Sequence, residues 1–160
     1  MLQPETEYLA RLTLDSREVL IELFPESAPE AVNSFIFLAQ QGWYDDNPIQ
    51  RVIPGVLAET GDPTGTGLGG PGYFFQTEID PSLHFDRAGV VAMSSVSPGT
   101  NGSQFFITLA PLPELNGSRT IFGHVVQGLN WIANLPARDP LTDLLSPAQA
   151  TLLHVVIETR

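Results

Sequence analysis

The strongest constraint on this chain is a period of two in its apolar residues. Tyr8, Ala10, Leu12 and Leu14 alternate with partly polar neighbours, Asp15-Ser16-Arg17 interrupts, and Val19, Ile21 and Leu23 alternate again. Side chains that repeat every second residue line one face of a strand, so this stretch reads as a β-hairpin. Gly89 to Met93, Gln104 to Leu109, Ile121 to Val126 and Thr151 to Glu158 are further β-branched and aromatic runs. Ile49 to Ile53 and Val56 to Ala58 are shorter ones, separated by the turn pair Pro54-Gly55.

Helical spacing appears at two places. Val32, Phe35, Ile36 and Ala39 share one face of a helix expected from about Pro29 to Gln41, with Gly42 as its stop. Before it, Ser27-Ala28-Pro29-Glu30 has the composition of a capping box, a hydroxyl at the N-cap and a carboxylate at the third position. A second, short helix is expected from Gly128 to Leu135. Many short strands, turn signals between them and two helices predict an all-β barrel or sandwich. Pro136 to Ala150, polar and with three prolines, is expected to be a surface excursion before the closing strand.

A chain of 160 residues fits a single domain over 1–160, large enough to fold without staples. It has no cysteine, which excludes disulfides, thiolate zinc sites and cysteine nucleophiles. All seven basic residues are arginine, so Schiff-base chemistry and a P-loop lysine are excluded as well. A formal charge of −11 disfavours nucleic acid and anionic membranes, whose recognition needs basic side chains. No signal peptide and no membrane-spanning apolar run is visible. The expected location is the cytoplasm, or a soluble extracytoplasmic domain, since Gln3-Pro4-Glu5-Thr6 resembles the remnant of a linker.

Several motifs weaken on inspection. Gly65-Thr66-Gly67-Leu68-Gly69-Gly70 has the G-x-G-x-x-G spacing of a dinucleotide site, but Pro71-Gly72-Tyr73-Phe74 cannot open the helix that such a site requires. Residues 61–72 are therefore expected to form a long ordered loop. His84, His124 and His154 lack metal-ligand spacing, and the carboxylate pairs Asp45-Asp46 and Glu78/Asp80 sit in polar turns. The hydroxyls of Ser94, Ser95 and Ser103 have no nucleophile elbow around them. Arg51 stands out because it interrupts an otherwise apolar strand between Ile49 and Val52-Ile53. A carboxylate partner or a snorkelling stem would explain it equally well at this level.

Taken together, Arg51-Val52-Ile53-Pro54-Gly55, Gly61-Asp62-Pro63-Thr64-Gly65-Thr66-Gly67 and Gly69-Gly70-Pro71-Gly72-Tyr73 resemble the central signature of the cyclophilin family. Asn101-Gly102-Ser103-Gln104-Phe105-Phe106-Ile107-Thr108 is similar to its most specific strand, and Thr120-Ile121-Phe122-Gly123 to its next stretch. The likeness runs in order from the N-terminal hairpin to about Trp131 and leaves out Pro136 to Ala150.

This resemblance implies an eight-stranded antiparallel β-barrel capped by two α-helices, working as a peptidyl-prolyl cis/trans isomerase without a cofactor. It implies a monomer whose partners are proline-containing peptides or unfolded proteins. By the same likeness Arg51 is the catalytic arginine, Gln104 an orienting hydrogen-bonder, and Phe106 the floor of a proline pocket with Met93 and Leu115 beside it. Val56, Leu57, Glu59, Ser94, Ser95 and Arg119 would complete the substrate groove. Val56, Leu57, Glu59, Ser95, Glu114 and Arg119 depart from the family's usual aromatic, methionine, glutamine, asparagine, tryptophan and histidine or tyrosine. Glu59 is expected within about 4 Å of Arg51, where it would offset the arginine's charge; the alternatives are that it faces Arg119 or solvent, or that pairing fixes the guanidinium in its reactive orientation. Glu114 is expected to weaken cyclosporin binding, since it lacks an indole's donor and apolar area. The alternative from a different class is a proline-peptide binding or chaperone-like module with little turnover.

Overall fold

A computed structural model describes residues 2–143, 145 and 147–160. The N-terminal alternation folds as expected into β1 (Tyr8–Leu14) and β2 (Arg17–Leu23), paired antiparallel from Leu9↔Glu22 to Leu14↔Arg17. Then follow α1 (Pro29–Gln40), β3 (Asn47–Pro48), β4 (Arg51–Ile53), β5 (Leu57–Thr60) and β6 (Phe75–Gln76). β7 (Val90–Ser97), β8 (Thr100–Thr108), β9 (Ile121–Gln127), α2 (Leu129–Ala133) and β10 (Thr151–Thr159) complete the order. Among the described residues these make one curled ten-stranded antiparallel sheet, a half-barrel whose path runs β3-β10-β1-β2-β9-β7-β8-β5-β4, with β6 on β8. The expectation of eight strands is corrected to ten, because the loop residues of β3 and β6 pair for two residues each with β10 and β8.

The inner face is apolar. Leu12, Ile21, Val91, Met93, Phe105 and Phe122 are all at most 2% exposed and join α1 and α2 residues in one cluster. Phe35 of α1 packs its ring 5.1–5.4 Å from those of Tyr44, Phe105 and Phe122, and each such ring contributes roughly 1.5–3 kcal/mol by leaving water. Ala31, Val32, Phe35, Leu38 and Ala39 form the buried stripe of α1, and Gly42 ends the helix at φ +71°, where a Cβ would be strained. No helix among the described residues is long and apolar enough to cross a membrane.

The capping box is not formed. The N-cap is Ala28, and the Ser27 hydroxyl is drawn to Asp80 instead. The free amides of Glu30 and Ala31 donate to Oε1 and Oε2 of Glu78, at 3.0 and 2.9 Å. A carboxylate at a helix start meets both the unpaired N–H groups and the positive end of the helix dipole, so Glu78 performs the cap from 48 residues away.

Candidate functional site

The registers of four strands place one row of residues across the outer face of the sheet. Arg51 of β4 lies opposite Glu59 of β5, Glu59 opposite Phe106 of β8, and Phe106 opposite Ala92 of β7. Cross-strand partners share a face, and strands are spaced about 4.8 Å apart, so Arg51 and Phe106 are about 10 Å apart along the row. Gln104, two residues along β8, shares that face.

Phe106 is 3% exposed and stacks on Phe85 at 6.0 Å with an interplanar angle of 12°. Val90, Ala92, Leu112 and Ile121 surround the pair, while Val56, Leu57 and Leu115 pack half-buried at the margin. This is a second, smaller apolar cluster, which reaches the surface at Val56, Leu57 and Leu115. Met93 does not belong to it. It is 1% exposed and points into the main core with Phe105, its partner across the ladder. The likeness put Met93 beside Phe106, but alternation along β7 turns it to the inner face and leaves Ala92 on the outer one.

Polar groups beside the row are tightly tied. Gln104, 6% exposed, donates from Nε2 to the carbonyls of Gly67 and Gly69, both at 2.9 Å, and accepts at Oε1 from Gln50 at 3.1 Å. The glycine-rich loop is wound around Asp62, which is fully buried. Its Oδ1 accepts from the amide and hydroxyl of Thr64 at 2.8 and 2.7 Å, and its Oδ2 from the amides of Gly67 and Gly69 at 2.7 and 3.1 Å. Burial alone would raise this carboxyl's pKa, but the bonds from Thr64, Gly69 and Gly67 together outweigh it and hold it below the ordinary value. The loop therefore cradles an anion as such motifs do, but the anion is its own side chain.

Glu59 does not meet Arg51. Its Oε2 accepts from the Ser94 hydroxyl at 2.8 Å and its Oε1 from Gln50 Nε2 at 3.4 Å, and no ion pair joins it to Arg51 among the described residues. Although the two residues are opposite in register, the Glu59 carboxylate is taken up by Gln50 and Ser94. Arg51 is half-buried, and its buried Nε has no hydrogen-bond partner among the described residues. The Ser95 hydroxyl is likewise buried and unpartnered, whereas Arg119 donates to its neighbour's carbonyl, Ser118 O, at 3.2 Å.

Two residues of this network carry no motif of their own. Gln50, 0% exposed, binds both Glu59 and Gln104 from the position before Arg51. Arg138, from the 136–150 excursion, pairs with Val52 on the open edge of β4. A glutamine inside the apolar run from Ile49 to Ile53, next to an arginine, was a readable hint of the first. Nothing local marks the second.

The family described as cyclophilin type peptidyl-prolyl cis-trans isomerase matches residues 9–157, which includes the excursion that resembled it least. Peptidyl-prolyl cis-trans isomerase B of Bacillus subtilis is 42% identical over 130 residues, covering 81% of this chain and 91% of that protein. Peptidyl-prolyl cis-trans isomerase ppi1 of Schizosaccharomyces pombe is 49% identical over 116 residues, 71% of this chain and 75% of its own. Among solved structures, a cyclophilin type peptidyl-prolyl cis-trans isomerase of Cryptosporidium parvum, crystallised in the presence of the dipeptide Ala-Pro, superposes with a TM-score of 0.85. It is 36% identical and covers 95% of this chain and 99% of that one.

Proposed function

Because the chain belongs to the cyclophilin-type peptidyl-prolyl cis-trans isomerases, we propose that residues 1–160 act as one domain in which Arg51 is the catalytic cation and Phe106 the floor of the proline site. The observation that carries this reading is that a half-buried guanidinium, whose buried Nε has no partner among the described residues, shares a row with an apolar cluster that reaches the surface at Val56, Leu57 and Leu115.

The reaction asks for both. The peptide bond resists rotation by about 18–20 kcal/mol because the nitrogen shares its lone pair with the carbonyl. A guanidinium donor aimed at the prolyl nitrogen holds that lone pair and reduces the double-bond character. Arginine keeps its charge at every relevant pH. The Phe106 cluster, with Val56, Leu57 and Leu115, grips the proline ring so that the carbonyl side can turn. Gln104 orients the site by fixing the adjacent loop, and Ser94, Ser95, Glu59 and Arg119 border the substrate. Ala-Pro in the C. parvum relative supports a proline-containing ligand here.

The relatives are named isomerases, so the binding-only alternative is not favoured. The substrates proposed are X-Pro bonds in flexible protein segments, which otherwise exchange in tens to hundreds of seconds. The working unit is proposed to be a monomer with weak cyclosporin affinity, since Glu114 stands exposed on the 3-10 turn Pro113–Leu115. Exchange NMR on an X-Pro peptide tests the reading. Catalytic amounts of protein are expected to accelerate interconversion of the isomers, and stoichiometric binding without acceleration would overturn it.

A further inference from the structure

Strand β4 carries Arg51 but is only three residues long and ends the sheet path, with β5 as its single strand neighbour. An edge strand of that length has few bonds to hold its backbone, and Arg51 has no ion pair with Glu59 to fix its head group. The position of the guanidinium is therefore set chiefly by residues 50–52.

The other edge of β4 is closed by one residue. The carbonyl of Arg138 accepts from the Val52 amide at 2.8 Å, and the Arg138 amide donates back to Val52 O at 3.0 Å. Its guanidinium then reaches along the strand. Nη1 donates to Gln50 O at 2.6 Å and extends to Gly65 O at 3.5 Å. Arg51 is thus bracketed, with its preceding residue held by the Arg138 side chain and its following residue by the Arg138 backbone. The same side chain ties β4 to the loop whose Gly67 and Gly69 carbonyls hold Gln104.

We propose that Arg138 is a positioning residue for Arg51, clamping the backbone of Gln50 and Val52 so that the guanidinium meets the prolyl nitrogen. This rests on the assignment of Arg51 as the catalytic cation. A small displacement of a catalytic group lowers the chemical step far more than it lowers binding, and the proline site at Phe106 lies two strands away. The loss is therefore expected in kcat.

Exchange NMR on an X-Pro peptide across a range of concentrations separates kcat from KM for the wild type, Arg138→Met, Arg138→Lys and Arg51→Ala. Methionine keeps the aliphatic stem and the backbone pairing with Val52 but removes every donor. Lysine restores one donor for Gln50 O. The expected result for Arg138→Met is a kcat lowered about tenfold with KM within about twofold, and for Arg138→Lys a recovery to within about threefold of wild type. Arg138→Met with wild-type kcat overturns the proposal, as does a rise in KM alone, which would make Arg138 a substrate contact. A methionine variant that does not fold overturns it too, by assigning Arg138 to the stability of the sheet. Loss of activity in Arg51→Ala together with unchanged Arg138→Met refutes this inference alone. Retained activity in Arg51→Ala refutes the assignment of Arg51 and this inference with it.

Discussion

The Asp62 loop and the Arg51 strand meet through the Gln50–Gln104 pair, yet they treat their charged side chains in opposite ways. Asp62 is wholly buried and collects hydrogen bonds from Thr64, Gly67 and Gly69, so its charge is spent on holding the loop together. Arg51 is half-buried and keeps a buried Nε without a partner among the described residues. A buried polar atom left unpaired costs about 1–3 kcal/mol, and such a cost persists at places where a ligand supplies the missing partner. If Arg51 has the role proposed for it, the difference separates scaffold from chemistry, with the satisfied charge holding the loop and the unsatisfied one kept for a ligand.

The largest effect that would break this contrast is on activity. Arg51→Ala is expected to lower kcat/KM about 100-fold or more while shifting stability by no more than about 1 kcal/mol. Wild-type turnover in a folded variant would mean that the unused donor serves no reaction. Large destabilisation would place Arg51 with Asp62 as scaffold.

The converse variant strikes the loop. A Cβ at Gly69 would fall on Asp62 Oδ1 and lie 2.8 Å from its Cγ. Gly69→Ala is expected to lower stability by about 2 kcal/mol, read by urea denaturation, with a smaller loss of activity through Gln104. Equal stability would show that the loop yields freely.

Acid sharpens the comparison without a mutation. Asp62 ionises at lower pH in the folded chain than in the unfolded one, where carboxylates titrate near about 3.9. Its contribution is full above that value and disappears as the pH falls through the folded pKa. Tm measured from about pH 5 downward is expected to fall less steeply in Asp62→Asn than in the wild type.

The smallest effect is expected at Glu59. Because its oxygens face Ser94 and Gln50, Glu59→Gln keeps an acceptor for one of them and should change kcat/KM by less than about threefold. A marked increase would restore the idea that this carboxylate offsets the charge of Arg51.

Much of the architecture was legible because its cause is local. Period-two alternation marks β1 and β2, β-branched and aromatic runs mark β9 and β10, and helical spacing marks α1 to within a residue. Arg51, Gln104 and Phe106 were legible as a set from motif resemblance, and register explains how they come to share a face. What escaped depended on encounters between distant segments. The Ser27 capping box satisfied every local rule but lost to Glu78. The Glu59–Arg51 pair was expected from the family likeness, but Ser94 and Gln50 bind the carboxylate instead. The likeness set Met93 beside Phe106, but β7 alternates and bulges between Met93 and Ser95, which pairs Met93 with Phe105 in the main core. Arg138 contacts Gln50 across 88 residues of sequence, beyond the reach of any spacing rule.

The Glu78 cap also bears on the order in which the molecule can be assembled. A helix of 12 residues is marginal in water by itself, and α1 starts without a cap of its own. During synthesis the residues of α1 leave the ribosome well before Glu78 does. At about 5–20 residues per second, the 37 residues between Gln40 and Glu78 take roughly 2 to 7 s. For that interval the emerging N-terminal hairpin has only a fraying helix to pack against. The carboxylate that completes the helix arrives with the segment just before β7, so α1 is committed when the middle of the sheet is made, and premature docking of the first third of the chain is discouraged.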